Sequence, residues 1–218
     1  SAFPSVTDNF DNSKVLSVGM PLRPELTNSQ IKDKTEAIKK INAIFNKNFM
    51  SDKITILVFG GSLGAKTINT STPLAVEMLD STKVQVIHLT GVGEENTQTL
   101  RNYAKMSFEN LIIDKFEDMA LLYIATDFAI CRSGGSSLSE LMFFNKNAIL
   151  IPYPLASENH QYYNALHFST KQEAIIIEDK RITPELLSEK IKVMIELLTH
   201  KPKIVARAQK NPAEYVLE

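Results

Sequence analysis

Polar residues suited to a ligand with phosphates and hydroxyls follow the apolar segments of this 218-residue chain. The clearest case is CRSGGSSLSE at 131–140, which lies between the apolar runs TDFAI and LMFF. Its glycines and serines allow backbone N–H groups to face phosphates. Glu140 can accept two hydrogen bonds from a vicinal diol such as a ribose. Alternatively, Ser137 and Glu140 form the capping box S-x-x-E, in which the glutamate only caps its own helix.

A second glycine-rich turn, GGSLGA at 60–65, follows the apolar run ITILVF and precedes a helical pattern. Glycines at such a turn let backbone N–H groups approach an anion, and a helix N-terminus favours negative charge by about 0.3–1 kcal/mol. The Ser62 hydroxyl can donate to a phosphate oxygen. The pattern is neither the dinucleotide fingerprint nor a Walker P-loop. A tight turn that needs glycine at positive φ explains it about as well.

Two further segments suit the rest of such a ligand. LASENHQYYNAL at 155–166 is dense in donors and acceptors for sugar hydroxyls. His160 is interpreted there as a hydroxyl ligand because no partner that would orient a general base is visible. In DKFEDMALLYIATD at 114–127, Phe116 can pack on a planar base or, at least as well, in the core. His88 lies in an apolar run, which favours a hydrogen-bonded core histidine over a catalyst.

Composition excludes several classes of protein. The net charge of −1 argues against a nucleic-acid partner. The single cysteine and the four scattered histidines show no metal-ligand spacing, so we predict no metal and no cofactor. No run of about 18 apolar residues is present, so no membrane-spanning segment is expected.

The polar segments are positioned by a regular alternation of short apolar runs and helical patterns. The continuous runs predict buried strands, and they lie at 15–18, 54–59, 84–89, 111–116, 127–131, 148–153 and 173–178. Helical spacing separates them, for example in QIKDKTEAIKKINAIF and in TPELLSEKIKVMIELL, where Thr183 is a suitable N-cap before Pro184. This order predicts an α/β fold, a doubly wound, mostly parallel Rossmann-like sheet. Ligands of such sheets bind beyond the carboxyl ends of the strands.

Four motifs resemble, in order and spacing, the C-terminal half of the MurG-type glycosyltransferases. They are VGMPLRPEL, LVFGGSLGAKTIN, DMALLYIATDFAICRSGGSSLSEL and IPYPLASENHQYYNAL. Members of that family have the GT-B architecture and make lipid II by transferring N-acetylglucosamine from UDP-GlcNAc to undecaprenyl-diphospho-muramoyl-pentapeptide. The resemblance runs over the whole chain and implies a donor-binding domain whose substrate is UDP-GlcNAc.

The resemblance also implies a role for individual residues. The residues implied to bind the substrate are Arg23 and Ser62 at the diphosphate, Phe116 and Met119 at the uracil, Ser136 and Ser137 along the phosphates, Glu140 at the ribose hydroxyls, and His160 and Gln161 at the N-acetylglucosamine. Phe116 is expected to contribute through its backbone. Ser136 carries less weight because the family varies there.

By the same resemblance, residues 1–218 are one UDP-sugar-binding domain, with 1–13 as an interdomain hinge remnant and the N-terminal acceptor domain absent. The catalytic base is expected in that domain, so the chain alone is expected to be inactive. The implied enzyme is inverting and metal-independent. Its other partner is the lipid-linked muropeptide acceptor, with peripheral membrane contact at the cytoplasmic face of the bacterial inner membrane. Alternatives are the donor subunit of a two-chain UDP-sugar glycosyltransferase and a stand-alone nucleotide-sugar-binding module.

Overall fold

The computed structural model of the chain describes residues 20–61, 64–92 and 96–200. These residues form a six-stranded, all-parallel sheet with the order β3-β2-β1-β4-β5-β6. The strands are β1 (Ile54–Phe59), β2 (Val84–Leu89), β3 (Asn110–Ile113), β4 (Phe128–Cys131), β5 (Asn147–Leu150) and β6 (Ala174–Ile176). The predicted doubly wound α/β fold is therefore confirmed.

Helices connect the strands and cover both faces of the sheet. The helices of the described part are α1 (Pro24–Thr27), α2 (Lys34–Phe45), α3 (Lys66–Glu77), α4 (Asn96–Tyr103), α5 (Met119–Ala125), α6 (Gly135–Phe143), α7 (His160–Ser169) and α8 (Pro184–His200). Short 3₁₀ turns at Ser157–Asn159 and Asp179–Arg181 follow β5 and β6. None of the helices in the described part of the chain combines the length and the apolar character needed to cross a membrane.

Each strand contributes alternate side chains to two separate cores. In β1, Leu57 and Phe59 belong to the core formed with α2, α5, α6 and α7, whereas Ile56 and Val58 belong to the core formed with α3, α4 and α8. All four side chains are almost fully buried. Because both faces are covered, the strands are continuous apolar runs rather than alternating ones.

The helix start predicted at Thr183 and Pro184 agrees with the structure. The Leu186 amide donates to Thr183 Oγ1 at 3.2 Å, directly before Pro184 opens α8. The Leu121 amide donates to the Asp118 carboxylate at 3.1 Å at the start of α5. Helix α2 starts later than its apolar pattern suggested, because Asp33 caps it by accepting from the Glu36 amide at 2.9 Å.

Strand ends were predicted less well than strand positions. The run 111–116 was expected to stay extended to Phe116, but β3 ends at Ile113. Strand β3 lies at the sheet edge with β2 as its one neighbour, and β2 itself ends at Leu89. Phe116 therefore lies in the loop between β3 and α5. The predicted strand at 15–18 and the hinge at 1–13 lie outside the described residues.

His88 is a buried core residue, as its position in β2 predicted. Its Nε2 lies 3.0 Å from Asn69 Oδ1 and its Nδ1 lies 3.1 Å from the Tyr103 hydroxyl. Because the Asn69 oxygen can only accept, Nε2 carries the proton and Nδ1 accepts from the tyrosine. Burial disfavours the charged imidazolium and lowers the pKa of His88 to about 3.

This burial predicts a specific dependence of stability on pH. Between pH 6.5 and about 3, the unfolded chain protonates His88 but the folded chain does not, so the free energy of unfolding should fall as pH falls. One such proton contributes a slope of about 1.4 kcal/mol per pH unit. Urea unfolding of His88→Gln between pH 6 and 4 should show a shallower slope than the unsubstituted chain.

His200, at the end of α8, provides a matched control because its side chain is exposed whereas that of His88 is buried. The variant His200→Gln should keep the slope of the unsubstituted chain. Equal slopes for His88→Gln and the unsubstituted chain would contradict the buried, neutral state of His88.

Candidate functional site

A cavity of about 610 Å³ lies at the carboxyl edge of the sheet, beyond the ends of β1 and β4. The strands β1, β2 and β3 follow one another towards one edge of the sheet, whereas β4, β5 and β6 follow one another towards the other edge. The strand order therefore reverses between β1 and β4. Crevices of this kind are the usual ligand sites of open parallel sheets. The cavity walls include the turn after β1, the start of α6 and Gln161.

The turn after β1 depends on its glycines. Gly61 and Gly64 have φ angles of 100° and 76°, and the Gly64 amide donates to the Gly61 carbonyl at 2.9 Å. A Cβ atom on Gly64 would lie 2.2 Å from the Thr90 carbonyl oxygen. The glycines are thus required by backbone geometry, and the same geometry places the start of α3 at the cavity. Ser62, expected at the phosphates, lies outside the described residues.

Helices α3 and α6 both begin at this cavity without a side-chain cap. Their N-cap residues are Ala65 and Gly134, and neither provides a capping hydrogen bond from its side chain. By contrast, Asp33 caps α2 and Asp118 caps α5. A helix start leaves backbone N–H groups that need an acceptor. The two N-termini at one cavity therefore suit an anion.

The capping-box interpretation of Glu140 is wrong. Helix α6 begins at Gly135, so Ser137 is its third residue and Glu140 lies in the second turn. Instead of capping its own helix, Glu140 accepts a hydrogen bond from the Tyr123 hydroxyl at 2.7 Å, and the Arg23 guanidinium lies 3.9 Å from its other oxygen. The Tyr123 ring is buried, and burial together with the Glu140 charge raises the pKa of its hydroxyl.

The two residues expected at a base lie at the start of α5, the helix that carries Tyr123, and in the loop before it. Met119 begins α5 and lies one turn before Tyr123, on the same face of that helix. The Phe116 ring packs against Phe45 with 5.3 Å between centroids, so its side chain serves the core. A contact between the Phe116 backbone and a base stays a prediction.

Helix α7 closes the other side of the site and is tied to the loop after β4. Ser133 Oγ donates to the Gln161 carbonyl at 2.7 Å, and Asn164 Nδ2 donates to the Ser133 carbonyl at 3.2 Å. Gln161 Oε1 accepts from the Tyr153 amide at 3.0 Å, which leaves its Nε2 as the end that can bond a sugar hydroxyl. His160 is exposed, with Nδ1 2.9 Å from the Ser157 carbonyl.

The serines after Gly134 have different environments. Ser137 lines the cavity, whereas Ser136 is exposed and its hydroxyl contacts Met20 Sδ at 3.2 Å. Arg23 is likewise largely exposed, at 61% of its side-chain surface, and lies at Glu140. Its expected position near a diphosphate stays a prediction. Across residues 20–61, 64–92 and 96–200, no group of three or more His, Cys, Asp or Glu side chains could hold a metal ion.

Sequence reasoning did not assign roles to Arg132, Asp179 and Thr67, which hold the cavity together. Arg132 Nη1 forms a mostly buried ion pair with Asp179 and donates to the Ile151 and Pro152 carbonyls. Thr67 Oγ1 donates to the other Asp179 oxygen at 3.2 Å. Asp179 directly follows the apolar run 173–178, which contains β6, so a search for polar residues beyond every apolar run would have found it.

The family model and the curated relatives that match this chain agree on its family. Residues 55–216 match the family described as glycosyltransferase family 28 C-terminal domain. The chain is 34% identical over 194 residues to a UDP-N-acetylglucosamine--N-acetylmuramyl-(pentapeptide) pyrophosphoryl-undecaprenol N-acetylglucosamine transferase of Desulforamulus reducens, a match that covers 86% of this chain and 49% of the relative. A protein with the same description from Bacteroides thetaiotaomicron is 35% identical over 188 residues, with coverages of 85% and 49%. The chain thus spans about half the length of the curated relatives it matches.

Solved structures agree with this result. A crystal structure of Acinetobacter baumannii MurG superposes with a TM-score of 0.66 at 28% identity, covering 78% of this chain and 52% of that one. A glycosyltransferase of kitacinnamycin superposes with a TM-score of 0.57 at 16% identity, covering 89% of this chain and 43% of that one. The second likeness shows the fold alone.

The contacts of Asp179 predict that this residue contributes more to the free energy of unfolding than its sequence neighbour Glu178. Asp179→Asn removes the charge opposite Arg132 in a site where the two side chains are only 16% and 12% exposed. Losing a hydrogen bond to a charged group costs about 1.5–3 kcal/mol, so the free energy of unfolding in urea should fall by that amount. The control Glu178→Gln disrupts a surface ion pair with Lys180 and should change the free energy of unfolding by less than about 1 kcal/mol. Equal effects of the two variants would contradict the role given to Asp179.

Proposed function

Because the chain belongs to the family of glycosyltransferase family 28 C-terminal domains, we propose that it binds the UDP-N-acetylglucosamine donor of a transferase that makes lipid II. The observation that carries this proposal is the cavity at which α3 and α6 both begin without a side-chain cap. The names of the relatives, which include UDP-N-acetylglucosamine and a pyrophosphoryl-undecaprenol acceptor, supply the substrates.

The proposed position of the diphosphate is between the two helix N-termini. Backbone N–H groups of α3 and α6 would bind its oxygens, with Ser137 at the cavity wall and Ser136 and Arg23 nearby. Ser62, in the turn before α3, is proposed as a further donor. Helix N-termini and an arginine offset negative charge without a metal ion, so metal-independent binding is part of the proposal.

The proposed nucleoside position is beside α5. Glu140 would accept hydrogen bonds from the ribose hydroxyls, since Tyr123 donates to one carboxylate oxygen and thereby fixes the orientation of the carboxylate. Met119, one turn before Tyr123, would contact the uracil, and the Phe116 backbone would hydrogen-bond its edge. His160 and Gln161, at the start of α7, would bind the hydroxyls of N-acetylglucosamine.

The chemistry that follows is an inverting transfer. The acceptor hydroxyl attacks the anomeric carbon, the bond from that carbon to the diphosphate oxygen breaks, and negative charge develops on the leaving UDP. The two helix N-termini would stabilise that charge. A general base must remove the proton of the attacking hydroxyl. We propose that this base is supplied by a region corresponding to the half of the relatives outside the match, and that the acceptor binds there, at the cytoplasmic face of the membrane.

The binding claim is tested by calorimetry of the 218-residue chain with UDP-N-acetylglucosamine. Binding should persist, with unchanged affinity, when EDTA replaces Mg²⁺, because helix N-termini rather than a cation offset the diphosphate charge. NAD is the control ligand and should bind much more weakly. Absence of binding, or equal affinity for NAD, would contradict the proposal.

The role of Glu140 predicts a ligand-specific effect. Glu140→Gln should weaken UDP binding by about 1.5–3 kcal/mol, because hydrogen bonds to a charged acceptor are lost. The loss should largely disappear with 2′,3′-dideoxy-UDP, which lacks the ribose hydroxyls. Glu77→Gln, at the exposed far end of α3, is the matched control and should bind UDP as the unsubstituted chain does. An equal loss for both nucleotides would exclude a ribose contact.

A further inference from the structure

We propose that Asn69 is a positioning residue of the diphosphate site, an inference that rests on the proposed function. Asn69 lies one turn into α3 and is buried, with 3% of its surface exposed. Asparagine is a poor residue for a helix interior because its side chain competes for backbone groups. A buried amide is also costly unless it is hydrogen-bonded. The contacts that Asn69 makes must therefore account for its presence at this position.

Both ends of the Asn69 side chain make contacts outside α3. Nδ2 donates to the Thr90 carbonyl at 2.8 Å, and Oδ1 lies 3.0 Å from His88 Nε2. A carbonyl oxygen can only accept, so the amide nitrogen faces Thr90 and the amide oxygen faces His88. The backbone carbonyl of Asn69 accepts from Thr99 Oγ1 at 3.0 Å, which joins α4 to the same point. Asn69 thus connects α3 to the end of β2 and to the loop that follows it.

The Thr90 carbonyl lies against the glycine turn that precedes α3. A Cβ atom on Gly64 would lie 2.2 Å from the Thr90 oxygen and 3.3 Å from Asn69 Nδ2, so these groups pack without room for a further atom. The Gly64 amide donates to the Gly61 carbonyl within the turn, and Ala65 follows as the N-cap of α3. Asn69 therefore holds the carbonyl against which the turn packs.

The loop after β2 is a firm base for that turn. The amides of Thr90 and Gly91 donate to the carbonyls of Ile113 and Asp114, both at 3.0 Å, and continue the β2–β3 ladder beyond Leu89. Hydrogen bonds to the sheet on one side and to α3 on the other fix the Thr90 carbonyl. The position of the sheet edge is thereby transmitted to the turn that lines the cavity beyond β1 and β4.

The position of the turn matters for phosphates more than for the nucleoside. The proposed diphosphate lies at the N-terminus of α3, where backbone N–H groups must point at its oxygens. Hydrogen bonds weaken steeply when donor and acceptor are misaligned, so a turn that loses its support should bind phosphate less well. The proposed ribose and base contacts come from α5, α6 and the loop before α5, which do not depend on this turn.

Calorimetric titration of the 218-residue chain with UDP and with uridine, both in EDTA, tests the role of Asn69. Asn69→Ala should weaken UDP binding by about threefold to tenfold, the range that one hydrogen bond between neutral groups spans in an equilibrium constant. Uridine should bind with unchanged affinity because it carries no phosphate at the turn. Should the alanine variant not fold, Asn69→Ser gives the same test, since its side chain is too short to reach both Thr90 and His88.

Tyr103→Phe is the matched control. Tyr103 is as deeply buried as Asn69 and contacts the other ring nitrogen of His88, with 3.1 Å between its hydroxyl and Nδ1. Phenylalanine removes that hydroxyl, keeps the ring and leaves the contact between Asn69 and Thr90 intact. The control should therefore lose stability but keep its affinity for UDP and for uridine. If Tyr103→Phe weakened UDP binding as much as Asn69→Ala, the effect would come from the buried cluster as a whole and the inference would be wrong.

Amide exchange measured by NMR on the ligand-free chain gives a second test that does not depend on the proposed function. The Gly64 amide should exchange faster with water in Asn69→Ala than in the unsubstituted chain, because the turn has lost its support. Tyr103→Phe should leave this exchange rate unchanged. Unchanged exchange at Gly64, unchanged UDP affinity, or equal losses for UDP and uridine in Asn69→Ala would each overturn the inference. Failure of UDP to bind the unsubstituted chain would instead contradict the proposed function.

Discussion

Two helix N-termini without side-chain caps, those of α3 and α6, meet at one cavity, and the rest of the candidate site is arranged around them. Backbone donors at a helix start need an acceptor. At the starts of α2 and α5, the carboxylates of Asp33 and Asp118 fill that need. At the cavity the N-cap positions are Ala65 and Gly134, whose side chains make no capping hydrogen bond, so these helix starts suit a bound anion. This contrast within one fold is the physical basis for assigning a diphosphate to the cavity.

The loops around these N-termini are held by a few buried or partly buried polar contacts. Arg132 connects the loop after β4 to the carbonyls after β5, and its partner Asp179 connects both to Thr67 in α3. Ser133 and Gln161 connect the same loop to α7. The loops after β4, β5 and β6 and the helices α3 and α7, which are distant in sequence, are thereby fixed relative to one another. A site held in this way loses little side-chain freedom when a ligand binds.

The sheet was predictable from the sequence because buried parallel strands are continuous apolar runs. All six runs from ITILVF onward mark their strands to within three residues at each end. The run at 111–116 shows the limit, because strand length depends on neighbours: β3 stops at Ile113 where β2 stops at Leu89. Glu140 shows a second limit. Its spacing from Ser137 fits a capping box, but helix α6 already starts at Gly135. The Glu140 carboxylate instead accepts a hydrogen bond from the Tyr123 hydroxyl, 17 residues away in the sequence. Asp179 shows a third limit, since its partners Arg132 and Thr67 come from the loop after β4 and from helix α3.

The central claim is that the N-termini of α3 and α6 bind the diphosphate of a uridine nucleotide. Calorimetric titration of the 218-residue chain with uridine, UMP and UDP, in EDTA and at a low and a high salt concentration, tests it most directly. The account predicts that affinity rises with each phosphate and that raising the salt concentration weakens UDP binding more than uridine binding, because the added interactions are electrostatic. Equal affinities for uridine and UDP would contradict the account.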